Sequence, residues 1–297
     1  MSTTSVASKS FVAQRADALG RGWYRFSRNV LSVAGLAIVT SIIFAAIFAP
    51  YVAPYPHHAA AYVDFSSASQ PPSWQHPFGT DRVGRDVLSR VVFGYRSALL
   101  MGIVVLALVV PVGVFLGLVA GYLRGSFLDA VIMRTTDVFL SVPPLVLALA
   151  MTSLLAPTLL NAMIAVSLMW WPWYTRLVYG MASSLRNEFF VQAAELTGAG
   201  RAHILFRELL PNCVSPILTK MTLDMGWVIL IGAALSFVGL GEQPPRPALG
   251  TMVSEGARYL PDLWWLSLFP GLAIMVVVLG FNLLGDGIRD WLAREEV

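Results

Sequence analysis

The side chains in this chain that could do chemistry are few: four histidines, one cysteine and a small number of charges set in apolar surroundings. His57, His58 and His76 share one polar, proline-containing stretch, and imidazole nitrogens are good ligands for nickel and related transition metals. A metal centre needs donors that converge, and no spacing here guarantees that, so they read as solvated loop histidines and no metal ligand is assigned. The glycines of the run Gly79-Thr80-Asp81-Arg82-Val83-Gly84-Arg85-Asp86 suggest a phosphate loop. That reading fails because no lysine follows a glycine at the required place and no strand precedes it. A hydrolase inside the membrane would need a buried nucleophile with a base. All four histidines, His203 included, fall in expected loops, and no serine sits in a glycine-flanked elbow, so no catalytic residue is assigned. Cys213 stands alone, which excludes an internal disulfide.

Four further groups lie within apolar runs. Lys220 and Asp224 stand at the i,i+4 spacing of a helix ion pair. A charge at the centre of a bilayer costs about 2.5–3.5 kcal/mol on insertion scales, so this pair either neutralises itself near the membrane edge or faces a watery path. Arg134 and Asp137, at i,i+3, can pair in the same way. Pro143-Pro144 interrupts the third apolar run, and the carbonyls it frees need partners inside the bundle rather than lipid; it either bends a helix or lines a pathway. Trp170, Trp171, Pro172, Trp173 and Tyr174 either anchor a bilayer interface or wall a cavity.

The elements that must hold these groups follow from composition. Of 297 residues, 57% are hydrophobic and 12% charged, with a mean hydropathy of +0.69; soluble domains carry about 25% charged residues. At about 1.5 Å of rise per residue, roughly 20 residues cross a hydrocarbon core about 30 Å thick. Six runs qualify, at about 30–50, 97–121, 135–156, 160–180, 213–240 and 263–285, so the fold class is all-α, a polytopic membrane protein with six transmembrane helices. All 20 Lys and Arg except Arg82, Arg85, Arg90, Arg96, Arg246 and Arg258 fall on the side of the N-terminus. The positive-inside rule then places both termini in the cytoplasm. Basic residues dispersed in this way, with a net charge of +3, are not a nucleic-acid signal.

Residues 1–29 form a basic cytoplasmic tail, with Trp23, Tyr24 and Phe26 at headgroup depth. The following run, 30–50, is too long for a typical signal-peptide core and reads as an uncleaved first helix. The segment 51–96 lies outside and should carry an amphipathic helix along the membrane surface, capped by Thr80 or Asp81, with Arg82–Asp86 and Asp86–Arg90 pairs on one face. The core, 97–290, contains helices 2 to 6. Gly113, Gly117 and Gly121 let the second run approach a neighbouring helix closely. Within the core, 186–212 is the longest polar interruption and reads as two short helices joined at a turn. Gly198 or Gly200 can take the positive φ that ends the first helix; Ile204, Leu205 and Leu209 give the second an apolar side, and Pro211 should stop it running into the next span. Such a hairpin either docks on a soluble partner or lies on lipid headgroups.

These stretches together resemble the permease subunits of ATP-binding-cassette importers, in the branch that handles dipeptides, oligopeptides and nickel. The hairpin is similar to the importer motif Glu-Ala-Ala, three residues, Gly, nine residues, Ile, one residue, Leu-Pro. Ala193, Ala194, Gly198, Leu210 and Pro211 match; Gln192 stands for the glutamate and Glu208 for the isoleucine. The run Phe78 to Asp81 with Gly84-Arg85-Asp86 and Ser89-Arg90 resembles a signature of that branch. Gly239-Leu240-Gly241, Gln243-Pro244-Pro245, Gly250, Asn282, Gly285-Asp286-Gly287 and Arg289-Asp290 add to it. The resemblance runs from about residue 20 to the C-terminus. It implies a type I ABC importer permease fold in a bacterial inner membrane, pairing with a second, related permease to enclose a path. It implies two ATPase subunits, which would hold ATP and Mg, and an extracytoplasmic solute-binding protein. The coupling residues would be Gln192, Ala193, Ala194, Glu195, Gly198, Gly200, Leu210 and Pro211; Gly79, Thr80, Asp81, Gly84, Arg85 and Asp86 would be the external signature, and Asp224, Pro143 and Pro144 candidates for the path. This chain itself carries no nucleotide-binding motif, so it is expected to be non-catalytic. A nickel permease of the same branch, an intramembrane hydrolase and a stand-alone carrier are the competing readings.

Overall fold

The computed structural model describes residue 20 and residues 22–292, and among these the chain is helical, with no strand beyond an isolated bridge between Thr80 and Asp86. Most of the expected tail, including Lys9, Arg15 and Arg21, lies outside the described residues. The principal helices are α1 (Val30–Ile47), α2 (Val87–Tyr122), α3 (Phe127–Leu140), α4 (Pro144–Ser153), α5 (Leu159–Leu185), α6 (Phe189–Leu196), α7 (Arg201–Phe237), α8 (Leu249–Ala257) and α9 (Trp265–Leu292). Helices α1, α2, α7 and α9 are each long and apolar enough to cross a membrane, and α3 with α4 qualifies as one bent pair. Helix α5 has the length, at 27 residues, but Asn161, Pro172, Arg176 and its aromatic cluster dilute its apolar character. The chain is a multi-pass membrane protein.

Helix α2 is the axis of the bundle. Its 36 residues span about 54 Å at 1.5 Å per residue, well beyond a hydrocarbon core, so both ends project. This corrects the expected surface helix: residues 87–96 are the first turns of α2, and the segment before them is a turn-rich loop. Helix α5 packs along α2, and the three glycines explain how. A Cβ at Gly113 would sit 2.6 Å from the Trp171 carbonyl oxygen, and one at Gly117 2.7 Å from that of Thr175. The small residues are thus occupied within this one subunit, where backbone approaches backbone.

Of the two expected proline effects, the interruption at Pro143-Pro144 occurs and the stop at Pro211 does not. At Pro143-Pro144 the chain turns by 85° between α3 and α4, far more than a proline kink in a continuing helix. At Pro211 the helix does not stop. Residues Ile204–Leu209 form a π-helical turn directly before it and lead without a break into the rest of α7. A wider turn repositions the carbonyls that an α-helix would have left facing the missing proline N–H.

Candidate functional site

The 186–212 hairpin sits at one end of the bundle. Helix α6 ends at Leu196 with Thr197 as its C-cap, and Gly198 follows with φ +82° while Ala199 N–H bonds back to the Ala194 carbonyl at 3.0 Å, a glycine-terminated helix end. Gly198, and not Gly200, takes the left-handed conformation; Gly200 starts α7 in an extended one. Only Val191 of α6 is buried; Phe189 and Leu196 are 87% and 89% exposed. Gln192, Ala193, Glu195, Gly198, Gly200 and Pro211 are exposed, Ala194 and Leu210 partly so. The apolar side expected of the second helix turns inward instead. Ile204 and Leu209 are buried in the main core and Leu205 packs against it, so the bare apolar ridge belongs to Phe189, Phe190, Leu196 and Phe206. The hairpin is clipped to the bundle by the Tyr122 hydroxyl, which donates to Glu195 Oε1 at 3.0 Å, and by Arg186 Nη1 donating to the Arg124 carbonyl at 3.3 Å.

The opposite end of α2 is built in the reverse manner. Asp86, wholly buried, is its N-cap: Oδ2 accepts from Ser89 N–H at 2.7 Å and Oδ1 meets His76 Nδ1 at 2.9 Å. The Asp86 N–H donates to His58 Nδ1 at 2.9 Å, so that nitrogen is an unprotonated acceptor. Burial, reinforced by neighbouring His57, lowers the His58 pKa below its ordinary value. Asp81 Oδ1 accepts from the N–H groups of Val83 and Arg85, and Oδ2 takes Arg85 Nε at 2.6 Å. Thr80, also buried, joins Ser67 and Gln70 through its hydroxyl and accepts from Trp265 Nε1 at its carbonyl, 3.2 Å away. Gly79 and Gly84 have φ of +73° and +82°, and a Cβ at Gly84 would stand 1.9 Å from the Asp64 carbonyl oxygen.

The pairing expected on a helix face is therefore replaced. Asp86 pairs with His76 rather than Arg82 or Arg90, because residues 81–86 are a turn. Arg82 instead stacks on Tyr259 at 4.5 Å and donates to its hydroxyl. The histidines also have another use than solvation, since His58 and His76 bond Asp86 and His58 stacks on Tyr62 at 4.0 Å. Sequence reading missed the partners from the far end of the chain, Trp265 on Thr80 and the Pro245 carbonyl that accepts from Arg90 Nη1, because nothing local announces them.

Between these ends lies the intramembrane pair. Lys220 Nζ is 3.0 Å from Asp224 Oδ2, which also accepts from Trp170 Nε1 at 3.0 Å. Lys220 lies 5.3 Å from the Tyr174 ring and 5.8 Å from that of Trp173, so part of the aromatic cluster walls this charge. The Tyr174 hydroxyl is buried beside Asp224 and makes no hydrogen bond of good geometry among the described residues. A groove of about 600 Å³ is lined by Thr219, Lys220, Asp224, Trp227 and Arg289; Pro143 and Pro144 are not in its wall. Asp137 meets Arg176 of α5 instead of Arg134.

The membrane helices thus form a bundle with a glycine-turned, partly apolar hairpin at one end and a closed polar knot at the other. The chain belongs to the family of binding-protein-dependent transport system inner membrane components, whose model matches residues 113–296, and residues 18–72 match the N-terminal TM domain of oligopeptide transport permease C. It is 42% identical over 262 residues to a probable D,D-dipeptide transport system permease protein, DdpC, of Escherichia coli, covering 88% of this chain and 87% of that one. Identity is also 42%, over 266 residues, with a dipeptide transport system permease protein, DppC, of Alkalihalophilus pseudofirmus, covering 90% and 86%. A di/tripeptide permease of Pseudomonas aeruginosa is 40% identical over 274 residues, covering 90% and 89%. In fold, the chain is similar to a chain of the inward-facing MetNI methionine ABC transporter, with a TM-score of 0.58 and 18% identity over 69% of this chain and 96% of that one.

Proposed function

We propose that this chain is the permease subunit of an ATP-binding-cassette importer and forms half of a path for di- or oligopeptides across a bacterial inner membrane. The observation that carries this is identity near 42% to dipeptide permeases along almost the whole of both chains. Both termini and the hairpin lie in the cytoplasm on this reading, and the Asp86 knot lies outside. The chain is not an enzyme; two ATPase subunits hold ATP and Mg, a second permease completes the path, and an extracytoplasmic binding protein delivers the peptide.

The hairpin is the coupling element. Val191 holds α6 to the core while Phe189 and Leu196 stand free to enter a cleft of the ATPase, flanked by Gln192, Ala193, Ala194, Glu195 and the turn Gly198–Gly200; Leu210 and Pro211 carry the motion into α7. A switch between inward- and outward-facing states needs a difference in partner contact energy between them. The clip from Tyr122 to Glu195 and the unbroken α7 give that difference two rigid routes into the bundle. The Lys220–Asp224 groove is the candidate stretch of the path within this chain, whereas Pro143 and Pro144 act at the bend between α3 and α4. Nickel is the less favoured cargo, since the relatives above are named for peptides and His58 and His76 already bond Asp86.

The test replaces Gly198 with Trp, or Ala194 with Asp. Nothing lies within 4 Å of a Cβ at Gly198, so the protein should remain in the membrane while radiolabelled dipeptide uptake is abolished. Uptake at the normal rate in both variants would reject the coupling role.

A further inference from the structure

A second polar cavity lies at the knot end of α2, between residues 81–90 and α8. Its volume is about 270 Å³, and Arg82, Arg90, Glu255, Arg258 and Tyr259 are in its wall. Asp81 and Arg85 are there too, but they neutralise each other at 2.6 Å. What remains is three guanidinium groups against one carboxylate. Among the described residues Glu255 makes no ion pair within 4.0 Å, and Arg258, exposed at the end of α8, has no hydrogen-bond or ion-pair partner. Arg82 is turned onto the Tyr259 ring.

Arg90 is the informative member. It is 2% exposed, and its bonds are weak: Nη1 reaches the Pro245 carbonyl at 3.3 Å and the His58 carbonyl at 3.5 Å, while Nε stays 3.8 Å from Asp81. Its Nη2 makes no hydrogen bond among the described residues. A guanidinium carries five donors, and a buried cation with donors to spare is costly unless an anion completes its shell.

We propose that this cavity is a carboxylate-binding site, with Arg90 at its floor and Arg82 and Arg258 at its mouth. A carboxylate suits it because it can take two parallel N–H bonds from one guanidinium. The excess of about two positive charges disfavours a cation, and Glu255 in the wall opposes a dianion such as phosphate. The carboxylate has two sources under the transport reading: the C-terminus of a free peptide, or an acidic side chain of the binding protein docked on this face. The site stands on its own geometry; only the identity of the source rests on that reading.

The experiment uses the assembled transporter in lipid nanodiscs, with phenylglyoxal labelling of arginines read by peptide mass spectrometry. Propionate and Ala-Ala are compared with propionamide and Ala-Ala-amide, and the binding protein is added in a separate arm. The expected result is slower labelling of Arg82 and Arg258 in the presence of a carboxylate and not of its amide, with Arg186 unchanged. Glu255→Gln, which removes a repelling charge, should lower the protecting concentration, and Arg258→Gln, which removes a charged donor, should raise it, each by about tenfold. Opposite signs from two exposed or half-exposed positions would not arise from misfolding, which Arg90→Gln alone could cause. Protection by Ala-Ala alone assigns the peptide terminus; protection only by the binding protein assigns its side chain. Equal protection by acids and amides, or none in any arm, overturns the site, and dipeptide uptake in the same nanodisc-grade protein reconstituted in vesicles would show whether the transport reading still stands.

Discussion

The two ends of α2 make opposite use of the same residue types. At the knot, Asp86, Thr80 and Arg90 are buried and every short-range polar group of Asp81 and Asp86 has a named partner. At the hairpin, Phe189 and Leu196 stand in the open while Glu195 sits beside them at the surface. Polar residues are inside at one end and apolar residues outside at the other. A closed hydrogen-bonded knot fixes geometry, because breaking it leaves buried groups unsatisfied. A bare ridge fixes nothing until a partner covers it. Damage at the knot should therefore register as lost stability, and damage at the hairpin as lost coupling in a protein that remains folded.

The largest effect on stability is expected from Gly84→Ala. Its Cβ would meet the Asp64 carbonyl oxygen at 1.9 Å in a backbone with φ +82°, and a loss of about 3 kcal/mol should appear as a lower melting temperature in detergent. Gly198→Ala is the matched control: the φ is again +82° but the space is open, so the loss should be about 1 kcal/mol. Equal losses at the two glycines would remove the contrast between the ends. Asp86→Ala comes next, at about 2 kcal/mol, since it deletes the α2 cap and leaves His76 without its partner.

Acid should also act on the knot, and more weakly. The folded pKa of His58 lies below its unfolded value near 6.5, so the unfolded chain binds the proton more readily. Stability should fall as pH drops below about 6.5, because His58 Nδ1 must stay unprotonated to accept from Asp86 N–H. His58→Gln, whose amide oxygen can accept the same bond, should flatten that slope in melts recorded between about pH 7 and 5. The smallest change in stability belongs to Phe189→Ser combined with Leu196→Ser, within about 0.5 kcal/mol, as expected of surface positions. Co-purification of the ATPase with this variant should nonetheless be lost; retention would move the docking surface elsewhere.

The apolar runs, the charge bias across them, the polar interruption with Gly198 and the family motifs were all legible in the residues, because membrane insertion and helix ends obey local rules of length and hydropathy. Pattern could not say which side of a helix faces inward. Ile204 and Leu209 looked free to dock and proved to be core, while Val191 and not its phenylalanine neighbours anchors α6. Nor could spacing decide between equivalent partners: Asp86 could have met Arg82 or Arg90, yet a turn at 81–86 gave it His76, and Asp137 met Arg176 across a helix pair. The contacts of Thr80 with Trp265 and of Arg90 with Pro245 join segments more than a hundred residues apart. Such contacts depend on how the helices stack, and stacking is set by the sum of many weak packing terms that no short stretch of sequence contains.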